Sequence, residues 1–290
     1  MKIPVAPPDI NTSYRVFTYV ERMAGEAEGS NGKILFGLGS IKNFGDGIAE
    51  AIIAERTRGG AFKSLEDFLN RVHDKNLNKK SLEALIKCGA MDKLGERGEM
   101  LGNLEGFLEY NKEQTKMAGG AGAQDSLFSL FAADSGDQNS AHSHLRLDPY
   151  PATGSDEKLA WEKELLGLYV SGHPLEKYRE TLDARGTTIA RTKAELREGM
   201  VAVVSGIVEE IKEISTKKGD MMCFLKLADF TSSVEVVMFP RTYKQYKEFL
   251  TPDACISIKG KMSKRNDQTS IMADAVKKLE RKEVAAPATI

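Results

Sequence analysis

Apolar and polar residues alternate with a period of two over the last third of the chain, from Met200 onward. Such alternation is typical of strands that bury one face. Five runs show it: Val201–Val208, Met221–Leu227, Val234–Phe239, Cys255–Met262 and Ser270–Val276. Between the third and fourth runs, apolar residues recur at helical spacing over Arg241–Leu250. Five strands with one helix between the third and the fourth predict an OB-fold, a five-stranded β-barrel.

The first half of the chain mixes two predicted strands with helices. Tyr14–Val20 and Lys33–Gly37 have the composition of strands, and a Gly-rich loop separates them. Apolar residues at helical spacing predict four helices, over Ile48–Glu55, Leu65–Val72, Ser81–Cys88 and Leu101–Lys116. Ser64 and Asp67 have the spacing of a capping box, and Gly89 provides a left-handed end for the third helix.

Local charge divides the chain into three parts. Residues 33–97 carry 12 basic and 9 acidic side chains, residues 98–158 carry 4 and 10, and residues 201–282 carry 15 and 11. The acidic part contains Gly- and Ser-rich stretches at 117–123 and 134–140, which cannot bury enough apolar surface to offset chain entropy. We therefore predict a flexible acidic linker between two mildly basic modules.

Composition excludes several classes of protein. The 290 residues have a net charge of −1, which is incompatible with a uniformly basic coat but not with local basic patches. No apolar run approaches the roughly 20 residues that span a bilayer, and Met1–Pro4 is not followed by an apolar signal core. The three cysteines, Cys88, Cys223 and Cys255, lie far apart and indicate reduced cytosolic thiols. We expect a cytoplasmic protein without membrane contact.

Residues 41–53 have the shape of a helix-hairpin-helix motif. Gly45 and Gly47 let backbone N–H groups approach a phosphate, the following helix N-terminus favours an anion, and Lys42 adds charge. Asn43 stands where the usual motif has a glycine, and asparagine tolerates left-handed backbone. The alternative is a tight turn between packed helices. The expected duplex contacts are Lys42, Asn43, Phe44, Gly45 and Gly47.

A short linear motif, Gln124 to Phe128, lies inside the acidic linker. Leu127 and Phe128 are expected to fill an apolar pocket of a partner, while Gln124 hydrogen-bonds at its rim. This form matches the peptide with which bacterial proteins grip the sliding clamp. The alternative is a chance apolar patch, extended by Leu130 and Phe131.

OB barrels bind single strands through aromatic rings that stack on bases and through cations that meet phosphates. Cys223, Leu225 and Leu227 are predicted to point inward, which places Phe224 and Lys226 on the outer face. The alternative is a solvated charged face over core aromatics. The expected single-strand contacts are Lys217, Lys218, Phe224, Lys226, Lys261 and Arg265, with Phe239, Lys259 and Lys264 nearby.

The sequence provides no self-sufficient active site. Two-metal nucleotidyl transfer needs clustered carboxylates, yet no Asp-x-Asp occurs, and neither a phosphate loop nor a nucleophile elbow is present. His142 and His144 stand in the linker without a cysteine nearby, so we expect no metal site and no cofactor in this chain. Trp161 and Cys88 are predicted to pack in the core.

Taken in order, these motifs resemble the C-terminal portion of the bacterial replicative DNA polymerase III alpha subunits, a family C polymerase. The resemblance covers nearly the whole chain. Besides the clamp peptide, it rests on Pro7–Asn11, Phe36–Ile41, Leu77–Asp92, Glu164–Leu175, Leu227–Asp229 and Val234–Pro240.

The resemblance implies a role for each part. The hairpin grips duplex DNA, the clamp peptide tethers the enzyme to the beta-subunit clamp and so raises effective concentration, and the barrel touches single-stranded template. The family is a nucleotidyltransferase that uses magnesium in a palm domain, and the palm carboxylates are absent from these residues. The implied partners are DNA, the sliding clamp and the remainder of the polymerase or holoenzyme.

The predicted architecture is α+β and multidomain, with a helical module, a flexible linker and an OB barrel. Two rivals remain at this point: a free-standing noncatalytic adaptor that binds DNA and the clamp, and a tRNA-binding protein with an OB module. The predicted divisions are 1–32 as the end of a fingers-like region, 33–116 as the helix-hairpin-helix module, 117–158 as the linker, 159–199 as a helical connector, 200–282 as the OB-fold and 283–290 as a tail.

Overall fold

The computed structural model of the chain describes residues 3–21, 32–118, 145–265 and 268–280. The chain divides into two compact units, residues 1–172 (the first unit) and 173–290 (the second unit). The division into six segments stays a prediction. The clamp peptide with Gln124, Leu127 and Phe128, and the pair His142 and His144, lie outside the described residues.

The first unit combines a small sheet with helices. The sheet has the order β1–β3–β2, with β1 parallel and β2 antiparallel to β3. Its strands are β1 Val5–Ala6, β2 Thr18–Val20 and β3 Lys33–Leu35. The helices described in this unit are α1 Asp46–Gly59, α2 Leu65–Arg71, α3 Lys79–Lys87, α4 Arg97–Gly102, α5 Leu104–Ala118 and α6 Ser155–Leu166.

Both strands predicted in this unit are present but shorter than expected. The segment before β2 leaves the sheet, because the carbonyls of Tyr14 and Arg15 accept hydrogen bonds from the amides of Leu38 and Gly39 at 2.8 and 2.9 Å. Leu38–Ser40 forms one 3-10 turn at this point. The turn leads directly into the hairpin.

Local capping sets the helix boundaries. The Ser64 hydroxyl accepts a hydrogen bond from the Asp67 amide at 3.1 Å, as predicted, and the Asp67 carboxylate accepts one from the Lys63 amide at 2.9 Å. Gly89 has φ +82°, and a Cβ there would also collide with the guanidinium of Arg97. Both the backbone angle and the close packing therefore require glycine after α3.

The helix predicted over Leu101–Lys116 is two helices, α4 and α5, which meet at Asn103. The Asn103 side-chain amide donates to the carbonyls of Glu99 and Asp148 at 2.8 and 2.9 Å, and its oxygen accepts from the Asp148 amide at 2.8 Å. Asn103 thus exchanges two hydrogen bonds with a residue 45 positions away. This tertiary contact stabilises a break that local periodicity does not encode.

Residues 145–172 pack on the same core as the helices that precede the linker. Leu165 and Leu166 are buried there, and Trp161, which was predicted to pack in the core, is half-buried. Arg97 on α4 and Glu162 on α6 form a buried ion pair with 3.0 Å between Nη2 and Oε1. Because both partners make further hydrogen bonds, the pair fixes α6 against the helical module.

The second unit is a barrel with two short helices before it. These are α7 Arg179–Arg185 and α8 Ile189–Glu195. The strands are β4 Val201–Ser215, β5 Met221–Ala228, β6 Ser233–Met238, β7 Cys255–Arg265 and β8 Gln268–Lys278. They close in the order β4–β5–β6–β8–β7. The predicted five-stranded barrel is confirmed, and so is the α+β multidomain class.

The barrel core follows the predicted alternation. Cys223, Leu225 and Leu227 are buried, and Phe224 and Lys226 point outward between them. The predicted helix over Arg241–Leu250 consists of α9 Pro240–Tyr246 and a 3-10 turn at Lys247–Phe249. Within the described ranges, no helix combines the length and the apolar character needed to cross a membrane.

Candidate nucleic-acid interface

The hairpin between the 3-10 turn and α1 has the backbone that the motif requires. Asn43 has φ +67°, in the left-handed region, so the asparagine does occupy the conformation that glycine usually supplies. The Phe44 amide donates to the Ile41 carbonyl at 3.2 Å and closes the turn. The side chains of Lys42 and Asn43 are exposed on its outer side.

Gly45 is the N-cap residue of α1 and leaves the N-terminus of that helix open. It has φ −79° and ψ 154°, angles that any residue adopts, and a Cβ at this position would meet nothing within 4 Å. No side chain of the described residues caps α1. The first helical turn of α1 therefore has an uncapped, exposed start, which carries the positive end of the helix dipole.

One of the predicted duplex contacts, Phe44, needs correction. The ring of Phe44 is 5% exposed and lies in the core of the first unit, so it anchors the hairpin and cannot touch a duplex. The Lys42 amide donates to the Leu165 carbonyl at 2.9 Å, which leaves the Lys42 side chain alone available for a phosphate. This second bond also ties the hairpin to α6.

Acidic side chains next to the hairpin are partly neutralised. Asp46 and Glu50 on α1 lie 3.6 and 3.7 Å from the guanidinium of Arg15. A Cβ on Gly39 would stand 2.5 Å from the Asp46 carboxylate, so that carboxylate lies over the 3-10 turn. The Asp46 carboxylate thus lies toward Arg15 and Gly39, and it does not cover the N-terminus of α1.

Sequence reasoning missed Asn76, which lies beside the hairpin. A Cβ on Gly47 would stand 3.0 Å from Asn76 Nδ2, so the two loops are in contact. Asn76 follows the exposed Lys75 in a turn that begins at Asp74. The turn itself is visible in the sequence, but its position next to Gly47 depends on how the helices assemble around the core of the first unit.

A groove of about 480 Å³ crosses the outer face of the barrel. Phe224 lies in it, with its Cα paired to Lys212 on β4 and to Val237 on β6. Phe239 follows β6 and is 49% exposed. The polar residues that line the groove are Lys193, Glu210, Lys212, Lys226, Ser233, Glu235, Gln268 and Thr269.

Carboxylates surround Lys226 on this face. Its Nζ is 2.8 Å from Glu209 Oε2, and this hydrogen bond raises the pKa of Lys226. Across the sheet, Lys226 pairs with Glu210 on β4 and with Glu235 on β6. The face therefore offers an aromatic ring for stacking, while its central lysine is already paired.

The remaining predicted barrel residues lie in three places. Lys217 and Lys218 are exposed in the β4–β5 turn. Arg265 ends β7 and its backbone pairs with Gln268, which lines the groove. Lys261 does not line the groove: on β7 it pairs with Val201 on β4 and with Met272 on β8, and its role as a single-strand contact stays a prediction.

The described residues show little sign of reactive chemistry. Among them, no cluster of three or more His, Cys, Asp or Glu side chains has the geometry of a metal site. Burial raises the pKa of the Cys88 thiol to about 12 and that of the Cys223 thiol to about 11, which keeps both protonated near neutral pH. Both cysteines therefore act as small apolar core residues.

Family models match both units. The model described as "Helix-hairpin-helix motif" matches residues 2–100, and the model described as "OB-fold nucleic acid binding domain" matches residues 202–279. DNA polymerase III subunit alpha of Borreliella burgdorferi is 34% identical over 283 residues, and that of Thermus aquaticus is 38% identical over 284 residues. Each alignment covers 96% of this chain.

The chain spans about a fifth of the length of these relatives, 23% and 21%. The matched part is their C-terminal portion. Among solved structures, asparaginyl-tRNA synthetase from Pyrococcus horikoshii matches 33% of this chain and 22% of its own length, at 14% identity and a TM-score of 0.27. The resemblance predicted from the sequence motifs is confirmed by the curated relatives.

Proposed function

We propose, from the similarity of this chain to the C-terminal portion of bacterial DNA polymerase III subunit alpha, that it is the DNA-binding portion of a bacterial replicative polymerase. The helix-hairpin-helix module holds duplex DNA, the barrel face holds single-stranded template, and the peptide at 124–128 binds the sliding clamp. Nucleotidyl transfer and its magnesium belong to the remainder of the polymerase. The rival function, a free-standing adaptor, would bind DNA and the clamp in the same way but would not belong to a polymerase with a catalytic part.

The observation that carries the duplex proposal is the empty space at Gly45. Neither its backbone angles nor its neighbours require a glycine, since φ is −79° and a Cβ would meet nothing within 4 Å. What a side chain there would obstruct is the approach of a ligand to the amides at the start of α1. A DNA phosphate fits this position, because it is an anion that backbone N–H groups bind without reading sequence.

Gly154 supplies a matched control for the test. It also begins a helix without a side-chain cap, with φ −64° and ψ 152°, and a Cβ there would also meet nothing within 4 Å. We expect Gly45→Val to weaken duplex binding about ten-fold near 0.1 M salt and to reduce the slope of log K against log salt by about 1, the value for one phosphate contact. Gly154→Val should leave both quantities at the wild-type values.

The measurement is equilibrium binding of the full chain to a short duplex over a range of salt concentrations. Equal weakening by Gly45→Val and Gly154→Val would mean that valine at a helix start is the cause, and the hairpin would then be a purely structural turn. An unchanged salt slope in both variants would lead to the same conclusion.

Clamp binding rests on the sequence of the linker peptide. We expect the variant Leu127→Ala, Phe128→Ala to lose binding to a purified bacterial sliding clamp, since these side chains fill the proposed pocket, and to keep its affinity for duplex DNA. The neighbouring pair Leu130 and Phe131 has the same composition, so Leu130→Ala, Phe131→Ala is the control. Loss of clamp binding in both double variants, or in neither, would refute the assignment to 124–128.

A further inference from the structure

A second groove, of about 520 Å³, lies beside α9 on the barrel. Arg241, Lys244 and Lys247 follow one another at a spacing of three, which places them on one side of α9 and the 3-10 turn after it. All three line the groove, which we call the α9 groove. The other lining residues are Asp220, Met221, Pro240 and Tyr243.

Two of these cations have no counter-ion. Lys247 lies 3.9 Å from a Glu213 carboxylate oxygen and 5.5 Å from the centre of the Tyr243 ring, so its charge is already balanced. Arg241 and Lys244 are exposed, and within the part of the chain that the structure describes neither forms an ion pair. Asp220 is the acid among the lining residues.

The β4–β5 turn adds charge next to the α9 groove. Lys217 and Lys218 are exposed in this turn, and only Gly219 separates them from Asp220 and Met221, which line the groove. The turn is closed by a hydrogen bond of 2.8 Å from the Thr216 amide to the Asp220 carbonyl. Its two lysines therefore have a fixed backbone position at the edge of the groove.

The α9 groove and the Phe224 groove lie along one strand, β5, which contributes lining residues to both. β5 begins with Met221 in the α9 groove and reaches Lys226 in the other groove about 17 Å away, at 3.3 Å per residue. On the neighbouring strand, the exposed ring of Phe239 directly precedes Pro240, which lines the α9 groove. The stacking face, with its paired Lys226, thus leads to a groove with unpaired cations.

We propose that the α9 groove binds the phosphates of a single DNA strand whose bases stack on Phe224 and Phe239. The strand then runs along β5 and over Phe239 to Arg241 and Lys244. This inference rests on the proposed single-strand function of the barrel and adds its direction and its second contact site. A DNA backbone fits because a repeated anion meets unpaired cations at one end of a stacking surface.

The test compares oligothymidylates of about 5 and about 14 nucleotides, which approach the limits of site size for one OB-fold. The variant Arg241→Gln, Lys244→Gln should bind the longer oligonucleotide about ten-fold more weakly near 0.15 M salt. Its salt slope should fall by about 1.4, the value for two single-strand phosphate contacts. Affinity for the shorter oligonucleotide should stay unchanged, because stacking on the Phe224 face is intact.

Arg197 and Lys277 provide the matched control. Both are exposed in the second unit, and neither lines the Phe224 groove or the α9 groove, so Arg197→Gln, Lys277→Gln removes the same charge elsewhere. Binding is measured by titration of the full chain, and urea unfolding shows that each variant is folded. If both double variants weaken the longer oligonucleotide equally, or if Arg241→Gln, Lys244→Gln has no effect on it, the α9 groove is not a subsite.

A third variant separates this inference from the function on which it rests. Phe224→Ala, Phe239→Ala should weaken binding of both oligonucleotides. If it does so while Arg241→Gln, Lys244→Gln binds like wild type, the α9 groove alone is refuted. If the wild-type chain binds neither oligonucleotide, the single-strand function of the barrel fails, and the inference fails with it.

Discussion

At the scale of single residues, Glu162 shows how a charge is kept inside the first unit. Burial raises the pKa of its carboxyl group, but hydrogen bonds from Ser171, Val170 and Arg97 outweigh burial and hold the pKa below 4.5. A carboxyl group with a lowered folded pKa stabilises the fold above its unfolded pKa, and this contribution is lost as the pH falls through the folded value. The first unit should therefore lose this stabilisation as the pH falls from the ordinary range of a glutamate carboxyl through the lowered pKa of Glu162.

Removing this carboxylate should destabilise the first unit strongly. We expect Glu162→Ala to lower the free energy of unfolding by about 3 kcal/mol near pH 7, because Arg97 and two backbone amides lose a buried partner. The measurement is urea unfolding followed by the fluorescence of Trp161, the one tryptophan of the sequence, which lies on the same helix.

Glu164 is the control for this experiment. It has the same charge on the same helix but is exposed, so Glu164→Ala should change the free energy of unfolding by less than about 0.5 kcal/mol. Equal unfolding midpoints for the two variants would show that the buried pair contributes no more than an ordinary surface carboxylate.

At the scale of elements, the sequence predicted whatever depends on neighbours along the chain. Ser64 caps α2, Gly89 follows α3 in the left-handed region, and Asn43 takes the left-handed position of the hairpin. The alternation of period two predicted all five barrel strands, because the side chains that point into a closed barrel must be apolar. These signals need only the residues of one turn or one strand.

What the sequence did not predict depends on contacts between distant residues. The break at Asn103 needs Asp148, 45 positions away, and the burial of Arg97 needs Glu162, 65 positions away. In the candidate site, Gly45 is open as expected, whereas Asn76 was missed and Phe44, expected to contact a duplex, is buried. Each of these errors concerns which elements pack together, and local periodicity carries no information on that point.

At the scale of the whole molecule, α5 and the residues from Leu145 onward pack on the core of the first unit, on either side of the segment 119–144 in the sequence. The later residues are held there by the Asn103–Asp148 hydrogen bonds, by the Glu96 carboxylate with the Thr153 amide at 3.0 Å, and by the Arg97–Glu162 pair. The peptide proposed to bind the clamp therefore lies between two attachments to the same unit. A covalent break between them removes neither attachment.

This arrangement predicts the behaviour of a cut chain. A specific protease sequence inserted between residues 130 and 131 should allow cleavage into two pieces that still elute together in gel filtration at neutral pH, because α6 stays packed on the helical module. Urea should separate them. The same insertion combined with Glu162→Ala should release the pieces at a lower urea concentration. Separation of the unmutated pieces in native buffer would show that the covalent connection is needed to hold α6 in place.

Because the segment 119–144 is attached to the first unit at both ends, a force applied to this segment acts on the first unit. A pull on the peptide by a bound partner reaches the first unit by two routes, backward through α5 and forward through the residues that follow Leu145. The forward route meets the hydrogen bonds of Asp148 and Thr153 and then the buried Glu162 before it reaches the second unit. Along the chain, the contacts of the first unit therefore meet a force on the peptide before the barrel does.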